Sequence, residues 1–191
     1  MIRQTVAIFS MLAAGLVFGV PSPYAQSETH GHPPAGEHSD GLGIPKAMQV
    51  EHEALHSDLV RLTKAGGRTG EAAQRVAHVL DHHFKNENEY ALPPLGLLVP
   101  LAEGRFNCGM IAVLKLTDKL QAEMPKMLAE HKDINAALSQ LKDAAIAENK
   151  PEGVKFSDEL GAHAQTEEQI TYPTALLVGL YVKAKAVQCF R

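Results

Sequence analysis

The chain predicts an all-α fold, an antiparallel up-down four-helix bundle. Three observations carry this. Apolar residues recur at helical spacing through most of the chain, and little of it alternates with the period of a β-strand. The recurrent stretches are separated by turns bearing Gly and Pro. A pattern of His and Glu is also written twice: Glu51-His52 is followed by His83xxxGlu87 and Pro93, and Glu130-His131 by His163xxxGlu167 and Pro173. The spacing from His52 to His83 differs by a single residue from that between His131 and His163. Each half therefore reads as one helical hairpin, and two hairpins with short turns make a bundle.

In chain order, Met1-Ile2-Arg3, the apolar run Val6 to Val20 and the small residues before Ser27 read as a secretory signal peptide over residues 1–27. The run is shorter than the roughly 20 apolar residues a membrane span needs. Export to the periplasm or outside is the expectation, with no membrane attachment after cleavage. The ~165 residues that remain suit one domain. Residues 28–43 are rich in Gly, Pro, Ser and His and hold almost no large apolar side chain, so they read as a flexible leader. Its His30, His32 and His38 lack regular spacing, which fits a linker better than a metal-capture tail.

The bundle is expected over residues 44–191. Ile44 to Ala65 places Met48, Leu55, Leu59 and Leu62 on one stripe, ended by Gly66-Gly67. A second helix is predicted from about Gly70 to Leu92, closed by Pro93-Pro94. Residues 93–107 form a connection with a short helical turn near Leu97 to Leu101. A third helical region runs from Cys108 to Glu148, with Pro125 expected to kink or split it. Residues 149–153 read as a turn, and a fourth helix runs from Phe156 or Ser157 to about Lys185, bent at Pro173.

Charge and cysteine usage narrow the class. The formal net charge is −4, and no basic patch points to nucleic acid or an anionic membrane. Cys108 and Cys189 are the only cysteines. In an exported protein they either form one disulfide, pinning the last helix to the bundle, or stand as two thiols, since spacing alone does not show how near they lie.

The repeated residues carry the chemistry. Residues four apart on an α-helix face the same way, so His83 with Glu87, and His163 with Glu167, each present a nitrogen and an oxygen to one centre. His52 and His131 supply the facing helices, and His56, four after His52, is a further candidate ligand. Imidazole and carboxylate without thiolate suit Fe, Mn or Zn. Two carboxylates can bridge two ions while histidines cap the ends. Burying two such carboxylates without a metal would be costly. His78 and His82 read as exposed or satisfied histidines. Glu51 and Glu130 read as surface charges facing away from the ligands beside them, with support of the ligands from behind as the alternative, and Tyr90 and Tyr172 as core packing, with proton or electron donation near the metals as the alternative. No residue is singled out as catalytic.

The residues His83-Phe84-Lys85-Asn86-Glu87 leading to Leu92-Pro93, and His163 leading through Glu167-Glu168 to Tyr172-Pro173, resemble the signature of the hemerythrin-like HHE cation-binding family. Glu51-His52 and Glu130-His131 are similar to its lone histidines on the first and third helices. The resemblance spans about residues 44–175. It implies a hemerythrin-like bundle holding two non-haem Fe ions (Fe2+/Fe3+), with Glu87 and Glu167 bridging and His52, His83, His131 and His163 as terminal ligands. The chain departs from the family's oxygen carriers at two places. Asn135 stands where they have a second third-helix histidine, and Glu168 stands where they have an aspartate, competing with Glu167 to bridge.

The function expected on this basis is binding of dioxygen, or another small diatomic or peroxide ligand, for storage, sensing or redox buffering. The alternatives are a di-iron peroxidase or ferrous oxidase, and a redox-inert Zn- or Mn-binding module. Histidine outnumbers carboxylate in the ligand set, which favours reversible binding over an enzyme.

Overall fold

A computed structural model describes residues 42–190. The signal peptide, and the leader as far as residue 41, lie outside the described residues. Among the described residues there is no strand, and no helix is long and apolar enough to cross a membrane. The architecture is a four-helix bundle. Its first two rods are α1, Lys46–Thr63, and α2, Gly67–Asn86. A five-residue α3, Leu98–Ala102, lies in the connection that follows. The third rod is α4, Val113–Ala147. The fourth is built from α5, Pro151–Thr166, and α6, Tyr172–Ala186, joined without a break by a π-helical turn. Turns of a few residues reverse the chain between α1 and α2 and between α4 and α5, so both pairs are antiparallel hairpins. α1 packs on α2 and α5, and α4 packs on α2, α5 and α6.

Several boundaries differ from the sequence expectation. α2 begins at Gly67, and Gly66 and Gly67 both take positive φ, +67° and +62°, a conformation that glycine adopts freely. The fourth rod begins at Pro151, inside the segment expected to be a turn. Proline at the first helical position loses no hydrogen bond, and Glu152 favours the positive end of the helix dipole. Gly153 then allows the hairpin to close, since a Cβ there would meet the Ala145 Cβ at 2.7 Å. Pro125 does not split α4. It stands on the exposed face, where the Gln121 carbonyl it leaves without a donor can reach solvent.

The core has apolar layers on both sides of a polar layer, and a third apolar cluster, Leu97, Met110, Val113, Val178 and Val182, adjoins the segments joined by the Cys108–Cys189 disulfide. One of the two flanking layers holds Leu55, Leu59, Leu62, Val76, Leu80, Ile134, Leu138, Leu141, Phe156 and Leu160. The other holds Tyr90, Leu92, Leu120, Met127, Tyr172 and Ala175, with Met48 against it. On every rod a ligand candidate falls between the two: His52 between Met48 and Leu55, His83 and Glu87 between Leu80 and Tyr90, His131 between Met127 and Ile134, and His163 and Glu167 between Leu160 and Tyr172. The layers hold the rods together, each fully buried Leu or Phe contributing about 1.5–3 kcal/mol. Cys108 and Cys189 form a disulfide with Cα atoms 5.8 Å apart, tying the end of the fourth rod to the turn before α4.

Candidate metal centre

Each half of the repeat delivers its carboxylate through the same local device. π-Helical turns run over Glu87–Ala91 and Glu167–Thr171, beginning at the two carboxylates and ending just before Pro93 and Pro173. Proline lacks an N–H and its ring crowds the carbonyl four residues back, so the helix widens there. The Leu92 N–H then donates to the Glu87 carbonyl five residues earlier, at 2.9 Å, and the Tyr172 N–H donates to the Glu167 carbonyl in the same manner.

His52, His83, Glu87, His131, His163 and Glu167 are all buried. They converge as two groups that share Glu167. One is His83, Glu87, His131 and Glu167, and the other is His52, His163 and Glu167, each with ligand atoms within 4.8 Å of one another. Each group draws one histidine from each half of the repeat. Both carboxylates reach both groups. Glu167 Oε2 lies 3.3 Å from His131 Nε2, while its Oε1 lies 2.9 Å from His163 Nε2 and 3.5 Å from His52 Nε2. Glu87 Oε1 lies 3.4 Å from His83 Nε2, and its Oε2 lies 3.9 Å from His52 Nε2.

These distances fit ligands around a metal ion. Two donors about 2.1 Å from one ion and 90–109° apart are separated by about 3.0–3.4 Å. The hydrogen bonding supports the same reading. His52 Nε2, Glu87 Oε2, His163 Nε2 and Glu167 Oε1 are buried without a hydrogen-bond partner, and all four belong to this constellation. The His163–Glu167 contact at 2.9 Å is thus a close approach of nitrogen and oxygen without hydrogen-bond alignment. Burying such atoms unpaired is costly, and a cation between them removes the cost.

Three of the four histidines are held from behind by carboxylates. The Nδ1–H of His83 donates to Glu130 Oε2 at 3.0 Å, that of His131 to Glu168 Oε1 at 2.9 Å, and that of His163 to Glu51 Oε1 at 3.1 Å. An ionised carboxylate only accepts, so each contact sets the tautomer and turns the Nε2 lone pair inward. His83 Nε2 and His131 Nε2 then stand 2.8 Å apart. Two lone pairs tolerate that distance only with a proton or a metal ion between them. Among the described residues no carboxylate approaches His52 Nδ1. Its ring instead stacks on Phe84 at 4.8 Å.

The two central carboxylates differ in charge preference. Burial, partly offset by His83, raises Glu87 above the usual carboxylate range. Burial acts the same way on Glu167, but contacts with His131, His163 and His52 outweigh it and hold Glu167 well below that range. Burial lowers His163, yet Glu167 and Glu51 on its two sides raise it to about 9.

Glu51 and Glu130 are therefore not free surface charges. Each does face away from the ligand beside it, about 100° around the helix, but that direction is the seam where a neighbouring rod presents the outer nitrogen of its own histidine. Glu168 takes that outer role too, leaving Glu167 in the centre. Tyr172 is not merely packing. Its O–H donates to Glu87 Oε1 at 2.6 Å and lies 3.3 Å from both His83 Nε2 and His131 Nε2. Tyr90 does sit in the core, donating to Met127 Sδ at 3.3 Å. His56 is exposed and stands outside both groups, on the wall of a groove between α1 and α2. His78 is exposed, and His82, also exposed, contacts Glu130 and Asn86.

Comparison with known proteins returned no match among protein-family models, curated proteins or solved structures.

Proposed function

We propose that the protein is an exported, hemerythrin-like non-haem di-iron protein that binds dioxygen or a related small ligand for storage, sensing or redox buffering. The observation that carries the reading is the convergence of unpartnered Nε2 and Oε atoms, buried between apolar layers, into two groups that share Glu167, with Glu87 Oε2 3.9 Å from His52 Nε2 of the second group. Glu87 and Glu167 would bridge two ions, with His83 and His131 on one and His52 and His163 on the other. Iron bound there would supply reversible redox chemistry and a free coordination position for the ligand. The chain supplies the rest. The apolar layers exclude water, and Glu51, Glu130 and Glu168 fix the imidazole orientations.

Tyr172 favours a second reading, an enzyme that reduces peroxide or oxidises ferrous iron. Burial, with Glu87 and Glu167 nearby, holds its phenol well above the ordinary value, so the O–H keeps its proton beside Glu87. A protonated, oxidisable group at that place is what turnover needs and reversible binding does not.

Metal analysis of the purified protein, with its ultraviolet-visible spectrum before and after the reduced form meets air, tests both. About two irons per chain and an absorption band that appears in air and fades on deoxygenation support the carrier. Steady peroxide consumption that Tyr172→Phe abolishes supports the enzyme. Zinc, manganese or no metal in iron-replete preparations overturns both in favour of a redox-inert module or a structural bundle.

A further inference from the structure

A groove of about 750 Å³ opens between α1 and α2. This is the size of a site for an organic molecule, and it is oversized for a diatomic ligand, since a water molecule occupies only about 30 Å³. Leu59, Val60, Ala77, Leu80 and Phe84 give it an apolar lining, and His52 closes it towards the second ligand group. The His52 and Phe84 rings, which both line the groove, stack at 19° to one another. The charged rim is acidic: Glu53, Asp81 and Glu89 against Lys85. Glu89 is paired with Lys119 at 2.6 Å, but among the described residues Glu53 and Asp81 have no basic partner.

The repeat shows that this groove is not a by-product of duplication. Aligning His52 with His131 and His83 with His163 sets Phe84 against Ala164, Asn88 against Glu168 and His56 against Asn135. All three first-half members line the groove. Their counterparts include Glu168, which holds His131 from behind and would place a carboxylate where Asn88 leaves the His52 side uncharged.

We propose that the groove is a binding site for a flat, apolar organic molecule, neutral or positively charged, seated on the Phe84–His52 stack. The acidic rim disfavours an anion, and the aromatic floor attracts a cation or a second ring. The occupant would touch a residue of the three-membered ligand group, so a molecule far larger than dioxygen would have direct contact with the centre. Seating the molecule needs no bound metal, so its test is separable from the iron reading.

The test uses two probes of one shape and opposite charge, 2-naphthylmethylammonium and 2-naphthoate, titrated by fluorescence into the chelator-treated full chain. The ammonium probe should saturate with an affinity about threefold to tenfold tighter than naphthoate, as expected of two unpaired exposed acids. It should give nuclear Overhauser contacts to the Phe84 ring. Glu53→Lys with Asp81→Lys, both at exposed positions, should invert the preference. Val60→Trp should fill the groove and weaken both probes more than tenfold while the circular dichroism spectrum stays helical. No saturable binding, equal affinity for the two probes, or binding unmoved by the substitutions overturns the proposal.

Discussion

On the proposed reading, in which each group holds one ion, replacing single candidate ligands should remove ions one at a time, and the arrangement says which replacement removes how many. His163 belongs only to the second group, whereas Glu167 belongs to both. His163→Ala should therefore leave one ion held by His83, Glu87, His131 and Glu167. Glu167→Gln keeps the side-chain volume but takes a charged oxygen from each group, so neither ion should be retained tightly. The stability readout follows by linkage: an ion at a free concentration one hundred times its dissociation constant adds about 2.7 kcal/mol, and two independent ions about 5.4 kcal/mol. For a domain of this size that corresponds to a rise of about 11–22 °C in Tm on loading the intact protein, and about half as much for His163→Ala. The assay is calorimetry under anaerobic Fe2+ and again under chelator, with metal content measured on the same samples. The chelator scan separates the packing cost of each substitution from the metal-linked part. His78→Ala, exposed and outside the centre, should match the intact protein. Equal metal content and equal loading shifts in all four proteins would refute the assignment of ligands to groups.

The carboxylates behind the histidines should matter nearly as much. Glu130→Ala or Glu168→Ala should weaken metal binding by about 10–100-fold in competition with a chelator, and unchanged affinity would show that the Nδ1 contacts orient nothing. A separate pH effect resides at Glu148, whose carboxylate accepts from the Thr69 hydroxyl at 2.7 Å, Lys150 Nζ at 3.0 Å and the N–H groups of Arg68 and Thr69. The Thr69 hydroxyl foremost, then these other donors, lowers it to about 2 from an ordinary 4.5. A folded value below the unfolded one stabilises above about pH 4.5 and loses that contribution as pH falls towards 2. The Tm gap between the intact protein and Glu148→Gln should thus be constant near neutrality and close on acidification, and a gap that persists in acid would contradict this. Gly179→Ala should overpack the α4–α6 contact, because its Cβ would lie 2.7 Å from Thr117 Cβ. A cost of about 1–3 kcal/mol is expected, a fall in Tm of a few degrees, and an unchanged Tm would mean that Thr117 moves aside freely.

The fold class and the burial of the central His and Glu residues were legible in the sequence because both are periodic signals. Apolar spacing places Leu55, Leu59 and Leu62 inward, and the same rotation carries His52 inward with them. What escaped was whatever depends on a neighbouring rod or on a departure from regular helix. Glu51 and Glu130 look like surface charges when judged on their own helices, and only the packing of α1 on α5 and of α2 on α4 shows each meeting a histidine of the next rod. Cys108 and Cys189 could not be paired from spacing, since their Cα atoms approach only after α6 packs on α4. The turn expected at residues 149–153 ends at Lys150, because Pro151 is favourable at a helix start as well as in a turn.

Tyr172 is the instructive case, because the sequence favours core packing and leaves donation near the metals only as the alternative. On a regular α-helix a residue five positions after Glu167 rotates well away from it, which makes Tyr172 an ordinary core residue. The π-helical turn stacks residue i+5 over residue i instead, and so brings the Tyr172 hydroxyl into the ligand layer. The signal was present as Pro173, whose missing N–H and bulky ring favour that widening after a run of good helix formers. The first half has the same proline and the same wide turn, but Leu92 stands where the second half has Tyr172, and it packs in the apolar layer beside that tyrosine. One backbone device, used twice, therefore delivers a proton-bearing phenol at one position and a hydrocarbon at the other. The repeat is symmetric in its histidines and carboxylates and asymmetric in the groups that surround them, and a difference in chemistry between the two halves should follow the asymmetric part.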